Sequence, residues 1–516
     1  MALSTSPPCT RRLFGNGENN AANAHFEGDH LKVAIIHHDD MQLHIPPRYQ
    51  EIYEVPRRII AIENRLKGLD LKVGFPPEGN FGGRMQLLPA SPAKTKQLVF
   101  GSPAVKKRRR SSYSSGPPEE GSAWEACRAV EAPLVEDSDI LLVHSKRHLE
   151  EVTEACSLAR SASAAFQPLS PGVKLQRNLQ ESVDNDLYYS PDSLVAFKRA
   201  AGGAIEAVRQ LFCIDRISGL ASRRSQVRSS FAIVRPPGHH CCCNKPAGFC
   251  FFNNSAIAAA HARKVLGIPR VAILDWDYHH GDGTQRVFYQ DADVLTISVH
   301  VALTSDGLAF PCKKDMDFTC NGHLKGRGYN INIPWPHDAV GLIEYTEAFQ
   351  TIVIPAIQAF QPGLLLIASG FDAVAGDTLA GTCLQAYDFY NLTQQLLTLN
   401  LPIAVILEGG YSPSLLAEAS INVVHALLGR DPPPQKSTSP NAIAKVARTG
   451  GGPGCNIKAR CVLDAIRRRL NTLPPWATMK SPGHDRYFQQ DEDQSASSKD
   501  GAARLSTLIE ELASDH

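Results

Sequence analysis

The sequence predicts an α/β fold built on a mostly parallel sheet. Two observations carry this. Short, strongly apolar, β-branched runs recur along the chain, and stretches with helical spacing of apolar residues separate them. A run that is apolar at every position suits a strand buried on both faces, which is how parallel strands sit. Repetition of strand, helix, strand supplies the crossovers that such a sheet needs.

In chain order the strands are expected at Lys32–His37, Phe231–Arg235, Val271–Trp276, Val294–His300, Leu364–Ser369 and Ile403–Leu407. Helices are expected at Asn254–Leu266, Asp338–Phe360, Leu384–Leu397 and Ser414–Leu428. Asn254 and Ser255 are N-cap candidates, because a short side-chain oxygen accepts from an unpaired N–H of the first turn. The leucines near Leu415–Leu428 read as core packing.

Of the 516 residues, 43% are hydrophobic and 20% charged, enough for a large core. Lys plus Arg number 53 against 52 Asp plus Glu, so global charge signals neither a nucleic-acid nor a membrane-surface protein. No apolar stretch reaches the roughly 18 residues of a membrane span. The first twenty residues lack the apolar core of a secretory signal. Thirteen cysteines include the adjacent Cys241, Cys242 and Cys243, a poor disulfide framework, which points to a reducing compartment.

The organisation expected is a flexible tail over 1–30, a globular unit over 31–430, an extension over 431–480 packing on or near it, and a flexible tail over 481–516. Residues 74–122 are rich in Gly, Pro, Ser and basic residues and read as a disordered insertion. Its run Lys106, Lys107, Arg108, Arg109, Arg110 is solvated charge or a nuclear-import signal.

Polar residues follow four of the strands directly. Pro236-Pro237-Gly238-His239-His240 comes after the second, and Asp275-Trp276-Asp277-Tyr278-His279-His280-Gly281-Asp282-Gly283 after the third. Gly370-Phe371-Asp372 and Glu408-Gly409-Gly410-Tyr411 follow the last two. Ligands of open α/β sheets bind outside the carboxyl ends of the strands, so these segments face one rim. Residues two apart in an extended segment point the same way, which puts Asp275, Asp277 and His279 on one face. Asp277 and His279 with Asp372 would give three ligands and leave one position for water, the pattern of a catalytic zinc. Such a zinc polarises an amide carbonyl and activates water. A neighbouring histidine would move the proton and a tyrosine would donate to the oxyanion.

These motifs together, with Gly248-Phe249-Cys250-Phe251-Phe252-Asn253, resemble the zinc-dependent histone deacetylase family, in a class II-like form. The resemblance covers roughly 31–430 outside the insertion. It implies a three-layer α/β/α fold of the arginase/deacetylase type, and a hydrolase that removes acetyl groups from lysine side chains, with histone tails as expected substrate. One zinc on Asp277, His279 and Asp372 is implied. His240 resembles the general base and acid, and His239 its electrostatic partner. Asp275 and Asp282 match the carboxylates bonded to these histidines, and Tyr411 the oxyanion-stabilising tyrosine. Phe249 and Phe310, with Gly248 and Leu379, match the substrate tunnel. A structural potassium is implied near Asp275, Asp277, His279 and Ser298, and Arg58 resembles an internal-channel arginine. Corepressor partners, chromatin and transcription regulation, and a nuclear location shared with the cytoplasm follow by the same analogy. Neither sequence-specific nucleic-acid binding nor a membrane is expected.

The chain departs from the class II pattern at three places. Asp282 stands where Asn is usual, and an anion there is expected to raise the pKa of His240. Cys241–Cys243 replace an acidic or small stretch, and Cys312-Lys313-Lys314 replace a Gly-rich one. Two other readings are a deacetylase of acetylated polyamines, which would carry an acidic residue at Leu379, and an inactive binding protein. Retention of every metal and catalytic position weighs against the latter. A binuclear arginase-type site needs more ligands than the strand ends supply.

Overall fold

The computed structural model describes residues 33–46, 52–69, 121–164, 186–212, 227–305, 307–434, 456–473, Trp476 and Thr507. The N-terminal tail, the basic run, residues 74–120 of the insertion, and the C-terminal tail apart from Thr507 lie outside them.

The strands are β1 (Val33–His37), β2 (Cys127–Glu131), β3 (Ser229–Ala232), β4 (Val271–Asp275), β5 (Val294–Val301), β6 (Leu303–Thr304), β7 (Gly307–Leu308), β8 (Asn330–Trp335), β9 (Leu364–Ser369) and β10 (Ile403–Leu407). Eight of them form one sheet in the order β2-β1-β3-β10-β9-β4-β5-β8, with every pairing parallel. β6 and β7 make a small antiparallel pair. The helices are α1 (Arg57–Leu66), α2 (Asp137–Ile140), α3 (Lys146–Ala164), α4 (Ser193–Leu211), α5 (Asn254–Lys264), α6 (Asp282–Phe288), α7 (Leu342–Ala348), α8 (Ile354–Phe360), α9 (Asp388–Leu397), α10 (Pro413–Leu428) and α11 (Ile457–Leu470). One group of contacting helices contains α3, α4, α5 and α6, and another contains α1, α10, α9 and α7. Helices and sheet form the expected three layers. No described helix is long and apolar enough to cross a membrane.

The expected strands are present, with β3 shifted to start at Ser229. β2 and β8 were not legible as apolar runs. β2 is an edge strand with four exposed or half-exposed positions, two of them the charged Arg128 and Glu131. β8 buries Asn330 and Asn332, whose amides both donate to Gln285 Oε1, at 2.7 and 2.9 Å. One helix cap and two helix starts also differ from expectation. The side chain of Asn253, not Asn254 or Ser255, caps α5 by accepting from Ala256 N at 2.9 Å. The helix expected from Asp338 begins at Leu342, where the Glu344 carboxylate accepts from Gly341 N. It reaches Phe360 through a widened turn at Phe349–Val353. The helix expected from Leu384 begins at Asp388, whose carboxylate accepts from Gln385 N at 2.7 Å.

α11 packs on β8 and α7. Trp476 is buried there and donates its indole N–H to Gly328 O at 2.6 Å.

Candidate metal centre and active site

β3, β10, β9 and β4 are the four adjacent central strands of the sheet. The polar segments that follow them therefore converge. Beyond β4, Asp277 Oδ1 accepts from His279 N at 2.9 Å. Beyond β9, Asp372 Oδ1 accepts from Tyr278 N at 2.9 Å. Beyond β10, Gly409 N donates to Asp277 Oδ2 at 2.8 Å. Side chains are excluded at the two glycines that flank this cluster. A Cβ at Gly370 would lie 1.8 Å from Asp277 Oδ2, and one at Gly409 would lie 2.6 Å from Asp372 Oδ2.

Ligand atoms of Asp277, His279 and Asp372 all lie within 4.8 Å of one another. His279 Nδ1 is 2.9 Å from Asp372 Oδ2 and 3.3 Å from Asp277 Oδ1. Both carboxylates are fully buried. Burial and the charge of Asp277 push the Asp372 carboxyl up to about 7, although His279 opposes the shift. Burial disfavours a charged His279, yet its bonds to Asp277 and Asp372 push it up to about 9. Two buried carboxylates that hold a proton between them and a histidine are a donor set short of positive charge. A dication coordinated by two oxygens and one imidazole nitrogen fits that deficit.

The tandem histidines lie beside it. His239 Nδ1 is 2.9 Å from Asp275 Oδ2, and His240 Nδ1 is 2.9 Å from Asp282 Oδ1. Their rings are 4.0 Å apart. Burial works against charge on His239, but Asp277 and Asp275 outweigh it and hold its pKa well above the ordinary value. For His240 the expectation from Asp282 is reversed. Burial, then the charge of His239, push it down to about 3 against the pull of Asp282.

Tyr411 is buried with its ring against Phe249, centroids 5.5 Å apart, and under the Arg58 guanidinium at 5.0 Å. Arg58 donates to the carbonyls of Glu408 and Gly410, which frame the turn that presents Tyr411. Phe310 lies edge-on to His240 at 4.9 Å and 6.0 Å from the His279 ring. Gly248 has a left-handed φ of 49°, and a Cβ there would lie 2.5 Å from His240 Cδ2. Leu379 is 41% exposed, and its N–H donates to Asp377 Oδ1 at 3.0 Å. Ser298 faces Asp275 across the β4–β5 register and bonds Nδ1 of His300 at 2.9 Å.

Sequence reasoning assigned no role to Asp377 or Glu408. Asp377 Oδ2 accepts from Tyr411 N and Ser412 N at 2.7 and 2.9 Å, while Oδ1 accepts from Leu379 N and Ala380 N. One carboxylate thus ties the Tyr411 turn to the Leu379 turn. Glu408 Oε2 accepts from Gly238 N and His239 N at 2.6 and 3.1 Å, and Oε1 from the Ser255 hydroxyl at 2.8 Å. An acid at the end of a wholly apolar strand was the available signal for Glu408.

His144, His148 and Cys241 form a second buried cluster with ligand-like spacing. Both nitrogens of His144 are already committed, Nδ1 to Cys242 O at 3.0 Å and Nε2 to Asn253 N at 2.9 Å. His148 Nε2 bonds Phe251 O at 2.8 Å. These histidines brace the backbone between the tandem pair and Asn253. Cys241 packs against them with Sγ 3.6 Å from His148 Nε2.

The histone deacetylase domain family matches residues 105–427. Histone deacetylase HDA1 of Saccharomyces cerevisiae is 36% identical over 298 residues, which are 57% of this chain and 38% of that protein. Histone deacetylase clr3 of Schizosaccharomyces pombe is 32% identical over 380 residues, 72% of this chain and 50% of that protein. Polyamine deacetylase HDAC10 of Danio rerio is 33% identical over 315 residues, 61% and 42% respectively. The chain thus spans half or less of the length of these relatives. Among solved structures, the HDA15 HD domain superposes with a TM-score of 0.58 at 26% identity, covering 86% of this chain and 97% of that one.

Proposed function

The chain belongs to the histone deacetylase domain family, and from that premise we propose that it hydrolyses the acetyl-lysine amide of proteins, with histone tails as substrate, releasing acetate and free lysine. One observation carries the reading. The Asp277–His279–Asp372 donor set, two carboxylate-bonded histidines and Tyr411 meet at the ends of four adjacent strands.

Asp277, His279 and Asp372 would hold zinc. When bound there, zinc polarises the amide carbonyl and acidifies a water. His240 is the proton carrier. Its Nδ1–H donates to Asp282, a tautomer inferred from that bond, which leaves Nε2 with a lone pair. A histidine kept neutral by its surroundings accepts the proton of the attacking water and returns it to the leaving amine. His239, held between Asp275 and Asp277, supplies positive charge beside the reacting carbonyl. The Tyr411 hydroxyl donates to the oxygen that becomes anionic, an interaction that strengthens only as charge develops. Phe249 and Phe310 grip the lysine methylenes, Gly248 leaves them room, and Leu379 stands at the rim. Potassium near Asp275, Asp277, His279 and Ser298 is a structural ion in this reading.

The relative named as a polyamine deacetylase keeps a second substrate class in view. The apolar Leu379 favours acyl-lysine, because a cationic polyamine needs an anion at the rim. Residues 31–430 form the catalytic unit in this reading, and the helix Ile457–Leu470 from the extension packs on β8 and α7. Nuclear residence, shared with the cytoplasm, and a corepressor assembly complete the proposal. Turnover of an acetyl-lysine peptide and of an acetylated polyamine, before and after metal stripping and zinc return, tests it. Zinc-restored peptide turnover supports the reading, and turnover of the polyamine alone would overturn it.

A further inference from the structure

We propose that Lys313 is a positioning residue that acts on His240 through the Asp282 carboxylate. The inference rests on the deacetylase reading and adds a member to its proton-transfer apparatus.

Asp282 is 2% exposed, and each of its oxygens has one side-chain partner. Oδ1 bonds His240 Nδ1 at 2.9 Å, and Oδ2 accepts from Lys313 Nζ at 2.6 Å. A carboxylate removed from water needs a full counter-charge. His240 gains and loses a proton in the proposed reaction and so provides no lasting one. Lys313 does. Burial alone would raise the Asp282 carboxyl, but the bond to His240 and the charges of His240 and Lys313 hold it below the ordinary range. Among the described residues no other lysine or arginine forms an ion pair with Asp282. Arg286 lines the same cavity of about 70 Å³ but bonds Asp315 at 2.9 Å, and Lys245 stands exposed at its wall.

The backbone explains how Lys313 arrives. Phe310 lies against the His240 ring, and Cys312, in the left-handed region at φ 56°, turns the chain with its N–H donating to Ala309 O at 2.9 Å. One short segment therefore places an aromatic edge on His240 and a cation on the carboxylate that orients it. Asp282 and Cys312-Lys313-Lys314 were separate departures from the class II pattern, 31 residues apart at the pairing positions. In the folded chain the added anion and the added cation form one pair.

The test is a double-mutant cycle on the full chain with zinc, using an acetyl-lysine peptide. Lys313→Met is expected to lower kcat roughly tenfold with KM nearly unchanged, the scale of losing an outer-shell partner. Lys313→Arg should recover most of the rate. In an Asp282→Asn background, which is itself slow, adding Lys313→Met should change kcat by less than about twofold, because coupled groups are not additive. Full activity of Lys313→Met, or an equal loss in both backgrounds, overturns the inference. Thermal unfolding of the same four proteins separates this from the deacetylase reading. If wild type turns over no peptide, that reading fails, while a drop in Tm on Lys313→Met confined to the Asp282 background still supports the pair. An equal drop in both backgrounds would refute it.

Discussion

Nδ1 of His279 lies 2.9 Å from Oδ2 of Asp372, although the two residues are 93 positions apart and follow different strands. Asp372→Asn preserves volume and removes the charge. Bound zinc and turnover are expected to fall together, and zinc should raise the Tm of wild type but not of the variant. Metal analysis beside the peptide assay checks this, and a variant that keeps stoichiometric metal would place the ion elsewhere.

Tyr411→Phe retains the ring that packs on Phe249 and beneath Arg58. Metal content should stay at the wild-type level, and kcat should drop by roughly 10²–10³, the usual scale for one oxyanion donor. An unchanged rate would remove the tyrosine from the mechanism.

Gly248→Ala puts a methyl 2.5 Å from His240 Cδ2 and 2.9 Å from Phe310 Cε1, at a left-handed φ. Strain of this kind costs about 1–3 kcal/mol. Denaturant unfolding should show that loss, and kcat should fall with it as His240 is displaced. Wild-type stability in the variant would mean that His240 and Phe310 give way freely.

Asp377 holds the Tyr411 and Leu379 turns through bonds from four backbone N–H groups. Asp377→Ala leaves these donors unpaired, at about 1–3 kcal/mol for each one that water does not reach. Reduced kcat with zinc retained is the expected signature. Loss of zinc instead would show that the carboxylate supports the metal site as a whole.

Acid should weaken the fold partly through His144. Burial, then the neighbouring His148, push its pKa from 6.5 down to about 3. The unfolded chain therefore takes up this proton first as pH falls. The stability that His144 contributes is full above about 6.5 and is lost as pH drops toward 3. His144→Gln should be less stable at neutral pH and show a shallower decline of Tm across that window. Parallel curves for the two proteins would assign the acid sensitivity to other groups.

The interior strands β1, β4, β5, β9 and β10 were legible because their burial on both faces is written locally as an apolar run. β2 and β8 were not, one because it is a half-exposed edge and the other because it buries asparagines whose partners, Gln285 among them, come from other segments. Asn253 was passed over as the α5 cap because three consecutive residues, Asn253, Asn254 and Ser255, all suit that position. Only the turn geometry selects among them.

The sequence by itself determined the α/β class, the strand ends that carry the chemistry, and the set Asp277, His279 and Asp372 brought together at one point. The class and the strand ends follow from apolar periodicity and the shared face of Asp277 and His279 from side-chain alternation, which are local, while Asp372 was expected from the end of a separate strand. Tertiary structure alone decided that His240 is neutral, because burial and the His239 charge outweigh the adjacent Asp282. It also decided that Asp377 governs the Tyr411 turn and that Lys313 reaches Asp282. Charge balance in a low-dielectric interior is a sum over every group that folding brings near, and no local stretch of sequence contains that sum.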